Sequence, residues 1–140
     1  MIIVLVIALL IISAVLSVRA EKKAKAKKLA AVFADREALS IDQFYQRYYS
    51  TTDIPKTVVA SVITILAEQL DADMSRLNTE DDFSKNLRFF WDYDSMADVE
   101  IICALEKTFT IQIFNTEAEQ TKTVHDLITL VARKTANINP

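Results

Sequence analysis

The stretch WDYDSMADVEIICALEKTF, residues 91 to 109, sets Ser95 between an aspartate and a methionine where the spacing predicts a helix to begin, at Asp94 or Ser95. The start of a helix carries unpaired N–H groups and about half a positive charge. A serine placed there to be modified could carry an anion in that field, a favourable place for negative charge. A small hydroxyl at a helix start also serves simply as a cap. Asp94 can fill that role, which leaves Ser95 at the first helical position, pointing outward.

Three other sets of residues invite chemistry and carry less. Cys103 lies beside the apolar stripe of the same helix and is expected to pack; His125 follows a later helix start and is expected to be solvated. A Cys–His nucleophile pair would require these two to meet across helices beside a third, orienting group. One cysteine excludes an internal disulfide, and a metal site from these two alone is not expected. Glu80, Asp81 and Asp82 are adjacent, unlike the alternating ligands of a calcium loop, and read as a solvated turn. No catalytic residue emerges, and the chain is not read as an enzyme.

The elements that position Ser95 follow from composition and period. The chain of 140 residues has no glycine and only two prolines. Without glycine there are few low-cost routes to positive φ, so tight hairpins are disfavoured and an all-α fold is predicted. Dinucleotide and P-loop phosphate motifs, which need glycine, are excluded. Val58, Val59, Val62, Ile63, Leu66 and Leu70 form a stripe of helical period, on a helix that Asp53 can cap and that has Pro55 in its first turn. A long loop with short turns follows, polar and then aromatic. The helix at Ser95 bears Met96, Val99, Ile102, Leu105 and Phe109, three or four apart. NTEAEQ suits one short helical turn. Thr123 with Asp126 forms a capping-box-like start for a last helix carrying Val124, Leu127, Ile128 and Val131.

The N-terminus is different in kind. Ile2 to Val18 holds no charge and no proline, and as a helix spans roughly 25 Å, near the lower limit for crossing a bilayer. RAEKKAKAKK comes directly after it, placing the remainder of the chain on the cytoplasmic side and residues 2–28 against membrane lipid, anionic headgroups included. A cleavable leader ending at Ala20 is the competing reading. The missing charged start, the length of the run and the lysines beyond it favour a retained anchor. Helix formers from Glu21 to Leu39 continue as a stalk. Phe44, Tyr45, Tyr48 and Tyr49 then recur at helical spacing, as a short amphipathic helix packed on the C-terminal domain or as an interfacial surface. Residues 1–51 carry a net +4 and residues 52–140 a net −7. The acidic part would be repelled by phosphate backbones, so no nucleic-acid partner is expected.

Residues 54 to 135 resemble an acyl carrier protein. ILAEQLDADMSRLNTEDDF looks like that family's first helix and following loop, DSMADVEIICALEKTF like its DSL signature and acidic second helix, and EAEQTKTVHDLITLV like its third helix and the start of its fourth. The resemblance implies a four-helix bundle with a phosphopantetheine arm on Ser95. The arm's thiol would hold an acyl chain, and the apolar face of the helix would line a cavity for it. It implies recognition through Asp94, Met96, Glu100 and Glu106 by partners with basic docking patches. Those partners would be the phosphopantetheinyl transferase and acyl-transferring enzymes, in a setting such as lipid or fatty acid synthesis.

This chain departs from the family in three ways. No glycine precedes the serine. The loop before Ser95 is longer and carries Phe89, Phe90, Trp91 and Tyr93, which would plug the core, narrow the approach to the serine or touch the acyl chain. Met96 replaces leucine, a volume-conserving change, and Ala97 stands where an acid is common. The expected organisation is a transmembrane anchor at 1–19, a basic helical stalk and aromatic linker at 20–51, and an acyl-carrier-like domain at 52–138. An unmodified carrier-like interaction module of a membrane complex is the alternative function.

Overall fold

A computed structural model describes residues 1–138. Six helices occur in chain order: α1 (Ile2–Val32), α2 (Ile41–Tyr48), α3 (Lys56–Leu70), α4 (Ala97–Phe109), α5 (Asn115–Gln120) and α6 (Val124–Ile138), with a 3₁₀ turn at Arg88–Asp92 between α3 and α4. The all-α expectation holds. No strand forms among the described residues, and one isolated bridge joins Asp82 to Thr123. The chain divides into two compact units, Met1–Ala34 and the residues from Asp35 onward.

The first unit is α1. Its 31 residues run without a break from the apolar segment into the lysine-rich one. It is long and apolar enough to cross a bilayer, and none of its most apolar window is buried by protein. The helix ends sooner than the run of helix formers to Leu39 suggests. Asp35 takes φ 64, and a left-handed residue cannot continue a right-handed helix.

The second unit is built on α3, which packs against α2, α4 and α6. All six residues of the expected stripe are buried, together with Ile65. Leu105 of α4 and Val124, Ile128 and Val131 of α6 close the core, and Leu87 and Phe90 plug it from the loop. Burial of each such side chain stabilises the fold by about 1.5–3 kcal/mol. α2 packs on this core through Phe44 and Tyr49, both buried, as the packed reading of its aromatic stripe requires. Ser40 and Gln43 form its capping box. α6 starts as expected: Thr123 Oγ1 accepts the Asp126 N–H at 3.1 Å, and Asp126 Oδ2 accepts the Thr123 N–H at 3.0 Å.

The start of α3 differs from expectation. Pro55, in extended conformation, takes the capping position, and its carbonyl accepts the N–H groups of Val58 and Val59. Asp53 stands two residues upstream and does not cap. The turn before the helix is tied instead by Thr52, whose hydroxyl donates to the Tyr49 carbonyl at 2.7 Å.

Lacking glycine, the chain ends two helices on side-chain-bearing residues in the left-handed region, Asp71 (φ 46) after α3 and Thr110 (φ 53) after α4. Aspartate tolerates that region, whereas a β-branched residue crowds its own backbone there. Thr110→Gly is therefore expected to raise stability by about 0.5–1 kcal/mol, net of the entropy that glycine adds to the unfolded chain. Denaturant unfolding measures this, and a lower midpoint would show that the Thr110 side chain is not strained.

Candidate functional site

The serine is positioned by a chain of contacts that begins far from it. Asp81, 2% exposed, sits at the centre of the loop between α3 and α4. Its Oδ1 accepts from the Arg36 guanidinium at 2.9 Å and from the Asn86 amide at 2.7 Å. Its Oδ2 accepts from Arg36 at 2.8 Å and from the Asn78 backbone N–H at 2.8 Å. The Asp81 carboxylate raises the affinity of Arg36 for its proton, against a smaller penalty from burial. Asp81 is therefore not part of a solvated turn. The loop is also stitched to α6: the Asp81 carbonyl accepts the Val124 N–H at 3.0 Å, and the Phe83 N–H donates to the Lys122 carbonyl at 2.9 Å.

From this anchored loop the 3₁₀ turn carries the chain to α4. Phe90 is buried and stacks on Phe89 with centroids 4.3 Å apart. Trp91 stays half-buried, edge-on to Phe83 at 6.3 Å. Of the three roles open to this aromatic segment, Phe90 takes that of a core plug.

Ser95 does not occupy the first turn of α4. The helix begins at Ala97 with Met96 as its cap, and Asp94 and Ser95 form the turn before it. The reason is local. Asp94 Oδ1 accepts the Met96 N–H at 3.0 Å and its carbonyl accepts the Ala97 N–H at 3.3 Å, which closes a turn that the side chain of Asp94 completes. The Ser95 side chain is exposed and makes no hydrogen bond among the described residues. Its hydroxyl is thus held at the positive end of α4, open to solvent and uncommitted, which fits the attachment of a phosphodiester.

The face of α4 is rotated from the expected stripe. Ala97, Ile101 and Leu105 are buried, while Met96 is 53% and Val99 46% exposed. Exposed Asp98 and Glu100 lie beside these two side chains. A hydrogen bond to the Asp94 carboxylate, then loss of solvation and repulsion by Asp94, make Glu100 hold its proton more tightly than an ordinary glutamate. Glu106 stands apart from this acidic patch, and its Oε2 accepts the Ile113 N–H at 3.3 Å. Of the four residues expected to serve recognition, Asp94, Met96 and Glu100 lie within five positions of Ser95, and Glu106 lies farther along α4.

A cleft of about 520 Å³ is lined by Asp98, Val99, Cys103 and Glu106 of α4, together with Trp91 and Ile113. Phe83 and Leu127 also line it. Phe83 was not singled out by sequence reasoning; a lone aromatic inside the acidic EDDFSKN was the available signal. Cys103 is exposed on this cleft rather than packed in the core. His125 is accessible, yet both ring nitrogens are engaged, Nδ1 with the Tyr49 hydroxyl at 2.9 Å and Nε2 with Thr129 at 3.5 Å. Burial, and then the charge of Glu80, push the Tyr49 hydroxyl up to about 12, so it stays neutral in that bond. No cluster of metal-ligating side chains occurs among the described residues.

A helical bundle that presents one free serine at the head of an acid-flanked helix, beside an apolar cleft, defines a carrier domain. Comparison with known proteins gives that class a family. The chain is 35% identical over 79 residues to the acyl carrier protein of Thermosynechococcus vestitus, covering 56% of this chain and 93% of the relative. It is 37% identical over 71 residues to that of Helicobacter hepaticus, covering 51% of this chain and 88% of the relative. To that of Picosynechococcus sp. it is 35% identical over 71 residues, covering 51% and 83%. No family model matches the chain. The chain belongs to the acyl carrier protein family, and that membership supports a carrier role.

Proposed function

We propose that this protein is a membrane-anchored acyl carrier protein, with Ser95 as the attachment point of phosphopantetheine and α1 as the anchor. The observation that carries the reading is the exposed, unpartnered Ser95 hydroxyl at the head of α4, in a chain of this family. When bound, the arm would supply a thiol that holds an acyl group as a thioester. The residues of the chain do the rest. The positive end of the α4 dipole favours the phosphate. Asp94 completes the turn that aims Ser95 outward. Met96 and Val99 offer exposed apolar contact, and Asp94, Asp98 and Glu100 surround it with negative charge. That pattern suits a partner with a basic docking patch, such as the phosphopantetheinyl transferase or an acyl-transferring enzyme. The Ile, Val and Leu side chains of the cleft would shelter an apolar tail.

Residues 2–18 would cross the bilayer, and the lysines from Lys22 to Lys28 would hold the carrier on the cytoplasmic face. Confinement to that layer raises its effective concentration for membrane-bound enzymes. Intact mass of the protein purified from its native host tests the reading. The arm should be present on the Ser95 peptide. Complete absence of the arm, with another carrier in the same cells loaded, would sink the proposal and favour an unmodified interaction module.

A further inference from the structure

We propose that Arg36 is a positioning residue for Ser95: from outside the carrier-like part of the chain, it holds the loop between α3 and α4 in the arrangement that presents the serine hydroxyl for arm attachment. The inference rests on the carrier reading and adds what makes the serine competent. Arg36 precedes residues 54–135, the part that resembles a carrier. Its guanidinium nevertheless grips both carboxylate oxygens of Asp81, at 2.8 and 2.9 Å. The same segment makes two further ties. The Leu39 N–H donates to the Ser75 carbonyl at 2.7 Å, and the Tyr49 hydroxyl meets His125 Nδ1 of α6 at 2.9 Å.

From Asp81 a run of hydrogen bonds leads to the serine. Asp81 Oδ1 accepts from the Asn86 amide at 2.7 Å, and Asn86 Oδ1 accepts the Asp82 N–H at 2.8 Å. The Asp82 carbonyl accepts the Leu87 N–H at 3.0 Å, and the Leu87 carbonyl accepts the Phe90 N–H at 3.2 Å. The Phe90 carbonyl accepts the Asp94 N–H at 3.2 Å, and Asp94 closes on Met96 and Ala97 the turn that contains Ser95. Leu87 and Phe90 along this run are buried, and a close-packed core seats such side chains in one place. Without the Arg36 fork, the buried Asp81 carboxylate lacks its countercharge, and the loop opens locally to hydrate it. Ser95 is then presented in only a fraction of the molecules. A partner that reads the presented arrangement loses apparent affinity by that fraction. The chemical step is untouched: Ser95 Oγ bonds to the phosphorus that bears pantetheine, the diphosphate link of coenzyme A breaks, its nucleotide half leaves, and the hydroxyl proton passes to the transferase.

The test follows arm attachment to the full-length chain in detergent, with coenzyme A and a broad-specificity phosphopantetheinyl transferase, by intact mass. It is run at a temperature where circular dichroism shows every variant folded. Arg36→Gln should raise KM for the chain about tenfold, as when the presented arrangement falls to about a tenth of the population, with kcat unchanged. Arg36→Lys keeps the charge without the fork and should fall between. Ile128→Ala truncates the buried core of α6, away from the run, and should destabilise the fold without moving KM. Amide exchange reads the coupling without the arm. The Met96 and Ala97 N–H groups should exchange faster in both Arg36 variants and at the native rate in Ile128→Ala. If Arg36→Gln does not fold, Arg36→Lys carries both comparisons. An unchanged KM in a folded Arg36 variant, unchanged exchange at Met96 and Ala97, or the same changes in Ile128→Ala overturns the proposal. If the native chain accepts no arm, the carrier reading fails on its own, and exchange at Met96 and Ala97 then decides whether Arg36 positions the turn.

Discussion

Ser95→Ala is expected to abolish arm attachment completely while leaving the fold intact. Incubated with coenzyme A and a broad-specificity phosphopantetheinyl transferase, the native chain should gain one arm and the variant none. The all-or-none size of the effect follows from chemistry, because alanine has no oxygen to esterify. The intact fold follows from geometry. The Ser95 hydroxyl is exposed and makes no hydrogen bond among the described residues. Its removal should move stability by less than about 0.5 kcal/mol, as for other free surface positions. Thermal unfolding of the two chains makes the comparison. If the variant still gains an arm, the attachment point lies elsewhere. If it unfolds some ten degrees lower, the serine is a structural residue and its exposed geometry misleads.

Asp81→Ala has the opposite signature, a severe loss of stability at a residue that touches no cargo. The substitution removes a carboxylate that accepts four hydrogen bonds; it strands the Asn78 N–H and the Asn86 amide and takes the countercharge from Arg36, whose Nη1 still donates to the Arg76 carbonyl at 3.3 Å. Breaking a buried ion pair from one side costs about 3–5 kcal/mol. Arg36 keeps some solvent contact, its side chain being 29% exposed, so the lower end applies, roughly 3 kcal/mol. For a unit of this size that is a fall in midpoint on the order of 10–20 °C. Arg36→Ala should be severe as well, because it leaves the Asp81 carboxylate, 2% exposed, without its countercharge even though Asn78 and Asn86 still donate to it. A fall of only a few degrees for Asp81→Ala would show that the loop is held by its backbone bonds to α6 instead.

The contrast between these two positions also explains what could be read from sequence. Helices whose burial follows a simple period, such as α3 with its Val58-to-Leu70 stripe, were legible because one element decides the pattern. So was the start of α6, where Thr123 and Asp126 cap each other within three residues. Asp81 was illegible because the partner that draws it inside, Arg36, lies 45 residues away. Met96 and Val99 were placed with the core because hydrophobicity alone does not separate an apolar side chain that is buried from one left open. The true inner face uses Ala97 and Ile101, one position over on one side and two on the other. Cys103 was turned inward by the same error. The choice of Ser95 rests on ordered blocks of sequence rather than on a helix boundary. The boundary itself moved by two to three residues, because the turn chemistry of Asp94 competes with helix propagation at that point.

The exposure of Cys103 makes the state of the carrier countable. The bare chain has a single cysteine, and it is accessible. A free arm adds a second reactive sulfur, and a thioester hides that sulfur again. A colorimetric thiol assay on the folded protein would therefore read one, then two, then one. Mild hydroxylamine, which cleaves thioesters and spares phosphodiesters, would restore two only in the loaded form. The cycle of the proposed carrier could then be followed by stoichiometry, without a radioactive cargo or an engineered label.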